Sequence, residues 1–307
     1  MSETAASQDI PRLSIGMPLY NATRYLEASF RSLLAQDFTD FELIVSDNAS
    51  TDGTWEICER FAATDPRIRL YRNERNLGVA ANFNRVARLA RGELFKWVAY
   101  DDLMEPSFLT ACVAELDRSD ARTLLAYPRT RLIDDTGQLV SDYEDNLDIR
   151  NRFAFRRVGV FAWRWNHCNP IYGVIRRDAL MRSGLERPYV SGDVPLLFEL
   201  ALHGQFHEVP ERLFLRRFHA ASSRENAEAY FHADARRRSF PRLRLTARIL
   251  SVLLDAEAPV AVRWSSAASF LSVWGLRNAR MQVGKYYRAL LVDANGERRP
   301  GALRGGG

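Results

Sequence analysis

The sequence predicts an α/β protein: a mostly parallel sheet flanked by helices, followed by a basic helical extension. Three observations predict it. Between residues 12 and 100, short apolar or β-branched runs alternate with segments of helical period, the pattern of βαβ units with right-handed crossovers. Several of those runs end in Asp, Asn or Arg, which places polar groups along one rim, where open parallel sheets bind ligands. Beyond residue 225 the pattern turns helical, divided by Pro241 and Pro259.

The elements follow in order. RLSIGMPLY (12–20) is a short apolar strand closed by Pro18. TRYLEASFRSLLAQ then spaces Tyr25, Leu26, Phe30, Leu33 and Leu34 as a helix does. FELIVSD (41–47) is a β-branched strand, and NASTDGT a dense turn signal. TWEICERFAATD reads as a helix and RIRLYRN as a strand. GVAANFNRVARLARG is a helix with Val79, Phe83, Val86, Ala87 and Ala90 on one face and a stop at Gly92. ELFKWVAY is the next strand, with Leu94, Phe95, Trp97 and Val98 buried. After Pro106, SFLTACVAELDRS is a helix, TLLAYPRTRLID a strand and DDTGQ a turn. Residues 141–166 read as irregular. NPIYGVIRRDALMRSG gives a strand and a short helix, VPLLFELALHG a strong helix, and FHEVPERLFLRRFH a returning strand.

Composition is ordinary for a globular chain, with 47% hydrophobic and 26% charged residues. MSETAASQDIPRL lacks an apolar core like that of a signal peptide. Three widely spaced cysteines, Cys58, Cys112 and Cys168, fit neither a zinc site nor a disulfide framework. A cytoplasmic protein is expected, free or peripheral at the inner face of a membrane. The net charge is +5, yet residues 225–307 carry 14 Arg or Lys against 7 Asp or Glu. Lysine occurs only at Lys96 and Lys285. Such a surface meets anionic membranes, nucleic acid or phosphorylated substrates, or is a solvated arginine-rich face. The longest charge-free apolar run of the tail, WSSAASFLSVWGL, has 13 residues, short of the ~20 of a spanning helix. The open readings are a helix resting on a membrane or partner, and one packed on its own domain or a dimer mate.

The rim gathers Pro18, Tyr20 and Asn21; Asp47, Asn48 and Asp52; Arg72 and Asn76; and the pair Asp101–Asp102. Two bare carboxylates side by side repel. A hard divalent cation, Mg²⁺ or Mn²⁺, resolves this with oxygen ligands and substrate phosphates. The competing reading is a helix cap, which accounts for one Asp and not two. The chain has no GxGxxG, GxxxxGK[ST], HExxH or GxSxG, which disfavours a dinucleotide site and a P-loop kinase.

LSIGMPLYNATRYLEASFRSLLAQDFTDFELIVSDNASTDGT closely resembles the opening of family 2 glycosyltransferases of the GT-A fold. RNERNLGVAANFNRVARLARGELFKWVAYDDLMEP, SGDVPLLFELALHG and LFLRRFHAAS continue the resemblance in the family's order, over residues 11–224. It implies a GT-A nucleotide-sugar-binding and catalytic domain at 1–224. Residues 225–307 are then a basic helical extension with a disordered end. It also implies inverting, metal-dependent transfer of a sugar from a UDP-, dTDP- or GDP-linked donor. The acceptor would be a glycan, a lipid-linked sugar or a small molecule, with no nucleic acid as partner.

By the same resemblance, Pro18, Tyr20 and Asn21 contact the nucleotide, and Asp47 and Asn48 hold base and ribose, with Asp52 nearby. The family's commoner DDGS reads DNAS here. Arg72 and Asn76 meet base or phosphates. Asp101 faces the ribose and diphosphate, and Asp102 is the better metal ligand, with Asp101 and His219 completing the set. Ala99 stands where the family often has a further acid. Asp193 corresponds to the catalytic base, or else caps the helix that follows it. Arg216 and Arg217 reach the diphosphate or form an exposed pair. Trp163, Trp165 and His167 line the acceptor pocket or belong to a lid or core. A homodimer through the C-terminal helices is expected. A nucleotidyltransferase would need a glycine-rich loop that MPLYNATRYL lacks. A silent scaffold would not need acids at every motif position.

Overall fold

The computed structural model describes residues 10–189, 191–219 and 241–291. The expected boundary at 224/225 and the expected disordered end lie outside these residues. The first half alternates as the sequence does: β1 (Leu13–Leu19), α1 (Thr23–Leu34), β2 (Phe41–Asp47), α2 (Thr54–Ala62), β3 (Ile68–Arg72), α3 (Val79–Leu89) and β4 (Leu94–Trp97). Then come β5 (Leu103–Met104), α4 (Phe108–Arg118), β6 (Thr123–Ile133), β7 (Leu139–Tyr143), α5 (Ala154–Arg164), a 3₁₀ turn (Asn169–Tyr172), β8 (Val174–Arg176) and α6 (Arg177–Arg182). Last are α7 (Asp193–His203), β9 (Gln205–Arg217), α8 (Pro241–Asp255) and α9 (Val260–Leu291).

All strands join one sheet in the order β3-β2-β1-β4-β8-β6-β9-β5, with β7 on β6. The β3-β2-β1-β4 half is parallel, and so is β6 with β9. β8 enters antiparallel between β4 and β6, and β5 pairs antiparallel with β9. The α/β architecture expected from the alternation is thus present, with antiparallel insertions that the alternation did not reveal.

Strand side chains point alternately to two cores. Leu13, Ile15 and Met17 of β1 join α1 and α4 on one face. Ile44, Phe95 and Trp97 join α3, α5 and α7 on the other. Gly16 faces α3: a Cβ there would lie 2.6 Å from Val86 Cγ2, so its missing side chain lets α3 seat closely on β1.

One finding corrects the sequence reading. The region expected to be irregular holds α5. Its Val158, Phe161 and Ala162, at helical spacing, are buried in the core, while arginines on its outer face mask that period. Arg157 is buried and donates to the carbonyls of Ala201 and Leu202 at 2.8 Å each, capping the last turn of α7. Burial pushes its guanidinium down to about 10. The C-terminal helices α8 and α9 pack on the same domain, one of the two readings left open for them. Ile249, Leu253 and Phe270 are fully buried in the same core as α5 and α7. No described helix is long and apolar enough to cross a membrane.

Candidate active site

Register brings three strand ends level, Leu19 beside Asp47 and Asp47 beside Arg72. Asp47 is fully buried. Its carboxylate accepts from the Ser50 amide at 3.2 Å and pairs with Arg72 Nε at 3.1 Å. Arg72 also donates to the Ser50 carbonyl at 3.1 Å and lies 5.2 Å from the Trp55 ring. Buried charge is tolerated when paired in this way. Pro18 lies inside β1, and Tyr20, partly exposed, follows that strand. Asn21 adopts φ 48°, and its side-chain oxygen accepts from the Thr51 amide at 3.0 Å.

Two residues expected to touch the nucleotide are committed elsewhere. Asn48 is buried; its oxygen accepts from Asn73 Nδ2 at 2.8 Å and from the Leu77 amide at 2.9 Å. Its amide donates to Asn76 Oδ1 at 2.8 Å. Asn76 in turn accepts from the Gly78 amide at 2.8 Å. Asn82 extends this network to Ser46 and Asn73. Asn48 and Asn76 therefore hold the loop before α3 rather than offer a free edge to a base. Asp52 receives Thr23 and Thr54 on its two oxygens, the shortest bond being 2.6 Å, and so ties α1 to α2. Sequence spacing could not show these commitments, because the partners lie up to 36 residues away.

The acids after β4 face different ways. Asp101 Oδ2 lies 3.0 Å from His219 Nε2. Asp102 is buried, and its Oδ1 accepts the Arg217 amide at 2.9 Å. Burial first, and then the charge of Asp101, pushes the Asp102 carboxyl up to about 7. Asp101 and His219 thus form an adjacent oxygen–nitrogen pair, and Asp102 is braced inward. Arg217 also donates to the Asp101 carbonyl at 2.8 Å, so it fixes this corner from the backbone side.

Asp193 opens α7, and no side-chain cap bond closes that first turn. Gly192 before it sits against Glu186: a Cβ there would lie 2.4 Å from Glu186 Oε2. Burial and the negative charge of Asp193 push the Glu186 carboxyl well above its usual range. Asp101, Asp102 and Asp193 all act electrostatically on Tyr172, whose hydroxyl is raised chiefly by burial. Arg216 answers them. It donates to the His167 carbonyl at 2.7 Å and to Asn169 Oδ1, and Asp102 and Asp193 both favour its charge. Around this centre, Asp102 shares one cavity with Tyr172, Lys96 and Phe214. Of the residues expected to line an acceptor pocket, only His167 approaches this centre. Trp165 stacks on Trp274 at 5.6 Å, and Trp163 points outward.

Sequence reasoning passed over Tyr172, Glu186 and Lys96. Lys96 is buried in β4; its ammonium donates to the Tyr172 carbonyl and lies 3.9 Å from the Phe108 ring centre. Burial pulls it down to about 7. A lysine inside an apolar strand, in a chain with two lysines, was the available signal. A lysine with a lowered folded pKa costs stability below that pKa, and the cost fades as pH rises toward the unfolded value of 10.5. Lys96→Met is therefore expected to be as stable as wild type or more so at pH 6. Urea unfolding across pH 6–10 should show the wild type catching up; a parallel gap at every pH would contradict this.

A metal fits the residues present only as a shared ligand. Among the described residues no group of three or more His, Cys, Asp or Glu surrounds one point. Asp101 and His219 can offer two donors, and Mg²⁺ or Mn²⁺ commonly takes one or two protein ligands and completes its shell with phosphates and water.

Residues 14–184 match the family model described as glycosyl transferase family 2. The chain is 34% identical over 140 residues to a chondroitin synthase of Escherichia coli, covering 46% of this chain and 20% of that protein. It is 38% identical over 109 residues to the putative glycosyltransferase EpsE of Bacillus subtilis, covering 35% and 39%. The chain thus spans less than half of these relatives. Among solved structures, TarS 1-349 of S. aureus in complex with UDP-GlcNAc aligns with a TM-score of 0.63 at 17% identity, over 85% of this chain and 72% of that one. The mannosyltransferase PcManGT of Pyrobaculum calidifontis, in complex with GDP-Man and Mn²⁺, aligns with a TM-score of 0.55 at 18% identity, over 93% and 77%. These likenesses extend to the fold, which is GT-A. The family match covers more than half of the chain, which belongs to glycosyl transferase family 2.

Proposed function

We propose that this protein is an inverting, metal-dependent glycosyltransferase that moves a sugar from a nucleoside diphosphate to an acceptor hydroxyl. The observation that carries the reading is the corner after β4, where Asp101 Oδ2 lies 3.0 Å from His219 Nε2 and the buried Asp102 lines one cavity with Tyr172. An acid–histidine pair at a strand end of the sheet suits a leaving diphosphate and its cation, and Asp193, at the opening of α7, is the carboxylate assigned to activate the nucleophile.

Asp193 takes the proton of the acceptor hydroxyl as its oxygen attacks the anomeric carbon. In-line displacement by a single base inverts that carbon. Asp47, Arg72, Tyr20, Pro18 and Asn21 form the wall for base and ribose. Asn48, Asp52 and Asn76 keep that wall in shape. Mn²⁺ or Mg²⁺, held by Asp101 and His219 with Asp102 behind them, would neutralise charge on the departing diphosphate. Arg216 balances the acids when no donor is bound. All these residues precede residue 224, which supports a catalytic unit at 1–224. The acceptor is a hydroxyl of a glycan, a lipid-linked sugar or a small molecule.

Relatives in complex with UDP-GlcNAc and with GDP-Man and Mn²⁺ support a nucleotide-sugar donor. Thermal unfolding with UDP-, dTDP- and GDP-sugars, with and without Mn²⁺, tests the reading. One donor at a hundredfold excess over its Kd should add about 2.7 kcal/mol, and more of that shift should appear with metal. A folded protein that responds to no nucleotide sugar would refute the proposal.

A further inference from the structure

We propose that the outer faces of α5 and α9 form one docking surface for an anionic lipid membrane. The proposal does not depend on the glycosyl-transfer reading. The chain contains no Asp or Glu at positions 149–177 or 258–292, and α5 and most of α9 fall within those stretches. Their inner faces are occupied, since Val158, Phe161 and Phe270 are in the core. The two helices lie side by side. Ser269 Oγ donates to the Phe155 carbonyl at 2.7 Å, and Arg277 donates to the carbonyls of Ala162 and Trp165 at 3.0 and 2.8 Å. Gly159 permits this approach, for a Cβ there would lie 2.6 Å from Ser269 Oγ.

The outer faces are unusual for a water-facing surface. Trp264 is 63% and Leu276 66% exposed on α9, and Phe153 is 41% and Trp163 39% exposed at and along α5. Arginines stand over these rings: Arg152 lies 4.4 Å from the Phe153 ring centre and Arg280 5.7 Å from that of Trp163. Exposed rings interleaved with guanidinium groups, and without carboxylates, match the boundary between anionic headgroups and acyl chains. Asp255 and Glu257 precede α9 and mark one end of the surface. α9 has 32 residues and is about 48 Å long at the usual rise. It is not apolar enough to span and so would lie in the plane of the interface. A second copy is the poorer occupant. A two-fold dimer sets a patch against itself, and here that would bring arginine-rich faces together.

Vesicle co-sedimentation of the full chain tests this. Phosphatidylglycerol-containing vesicles at about 0.1 M salt should bind it, phosphatidylcholine alone should not, and about 1 M salt should release it. Each basic side chain near an anionic surface contributes about fivefold. Arg152→Gln, Arg156→Gln and Arg280→Gln combined should therefore weaken binding roughly hundredfold. Trp264→Ser should weaken it as well, without changing the far-UV spectrum or the melting temperature of the free protein. Equal binding to both vesicle types, no binding to either, or vesicle binding untouched by all four substitutions would overturn the proposal. A dimer in light scattering that Trp264→Ser dissociates would assign the face to a second copy and overturn it too.

Discussion

Asp193→Asn is expected to bind nucleotide sugar as wild type does and to lose about 10²–10⁴ in turnover, the range a positioned base contributes. The substitution keeps the size of the side chain and removes its ability to take a proton. The groups proposed to grip the nucleotide lie on the ends of β1, β2 and β3, so donor affinity should change little. Both kcat and kcat/KM should fall together, since the interaction lost belongs to the transition state. The cost to folding is modest: a carboxylate in the first turn of a helix contributes about 0.3–1 kcal/mol, and up to about 2 kcal/mol where it is partly buried. Glu186 provides an internal check. The charge of Asp193 helps to hold its carboxyl high. Without that charge it should ionise at lower pH, although burial, the larger cause, remains. Slow donor hydrolysis by water is expected to persist in the variant. Turnover within threefold of wild type would remove Asp193 from the role, and loss of donor binding would make it structural instead.

How much of this was legible in the sequence depends on the distance between partners. β1 to β4 and their helices were readable because each is specified locally: Leu13, Ile15 and Met17 alternate, and Val86 and Ala87 follow a helical period. The position of the polar rim followed from that order. What the acids do at the rim did not follow. Asp102 turns inward to accept the Arg217 amide, 115 residues later. Asp101 and His219 are 118 residues apart, and only the family resemblance brought them together beforehand. Asn48 looked available to a base because nothing near it in sequence announces Asn73 or Leu77 as its partners. α5 was missed for another reason. Its exposed face carries Phe155, Val160 and Trp163 and its buried face carries Arg157, so apolar and charged residues fall on both sides and blur the helical period.

Asp101→Asn should separate catalysis from stability in the opposite direction to a core substitution. Asp101 is the second cause, after burial, of the raised Asp102 carboxyl. Neutralising it removes a like charge beside a buried acid, so Asp102 should titrate closer to its ordinary range. A raised carboxyl pKa contributes stability that is complete below the unfolded value of 3.8 and is lost as pH rises through about 7. The loss between those pH values should therefore be smaller in the variant, which is expected to be as stable as wild type at pH 7 or more so. Activity should move the other way. An asparagine can still meet His219 Nε2, but it cannot supply the charge that a divalent cation needs. Removing even a partner that only supports a ligand weakens metal sites about 10- to 100-fold, and losing a preorganised charge in a reaction centre costs about 10²–10³ in turnover. The Mn²⁺ dependence of transfer should shift to higher metal concentration by at least the first of these factors. Unfolding curves at pH 4 and pH 7, measured beside a Mn²⁺ titration of activity, read both effects. A variant that loses stability at pH 7 while keeping its metal response would mean that Asp101 supports the fold through His219 and does not serve the metal.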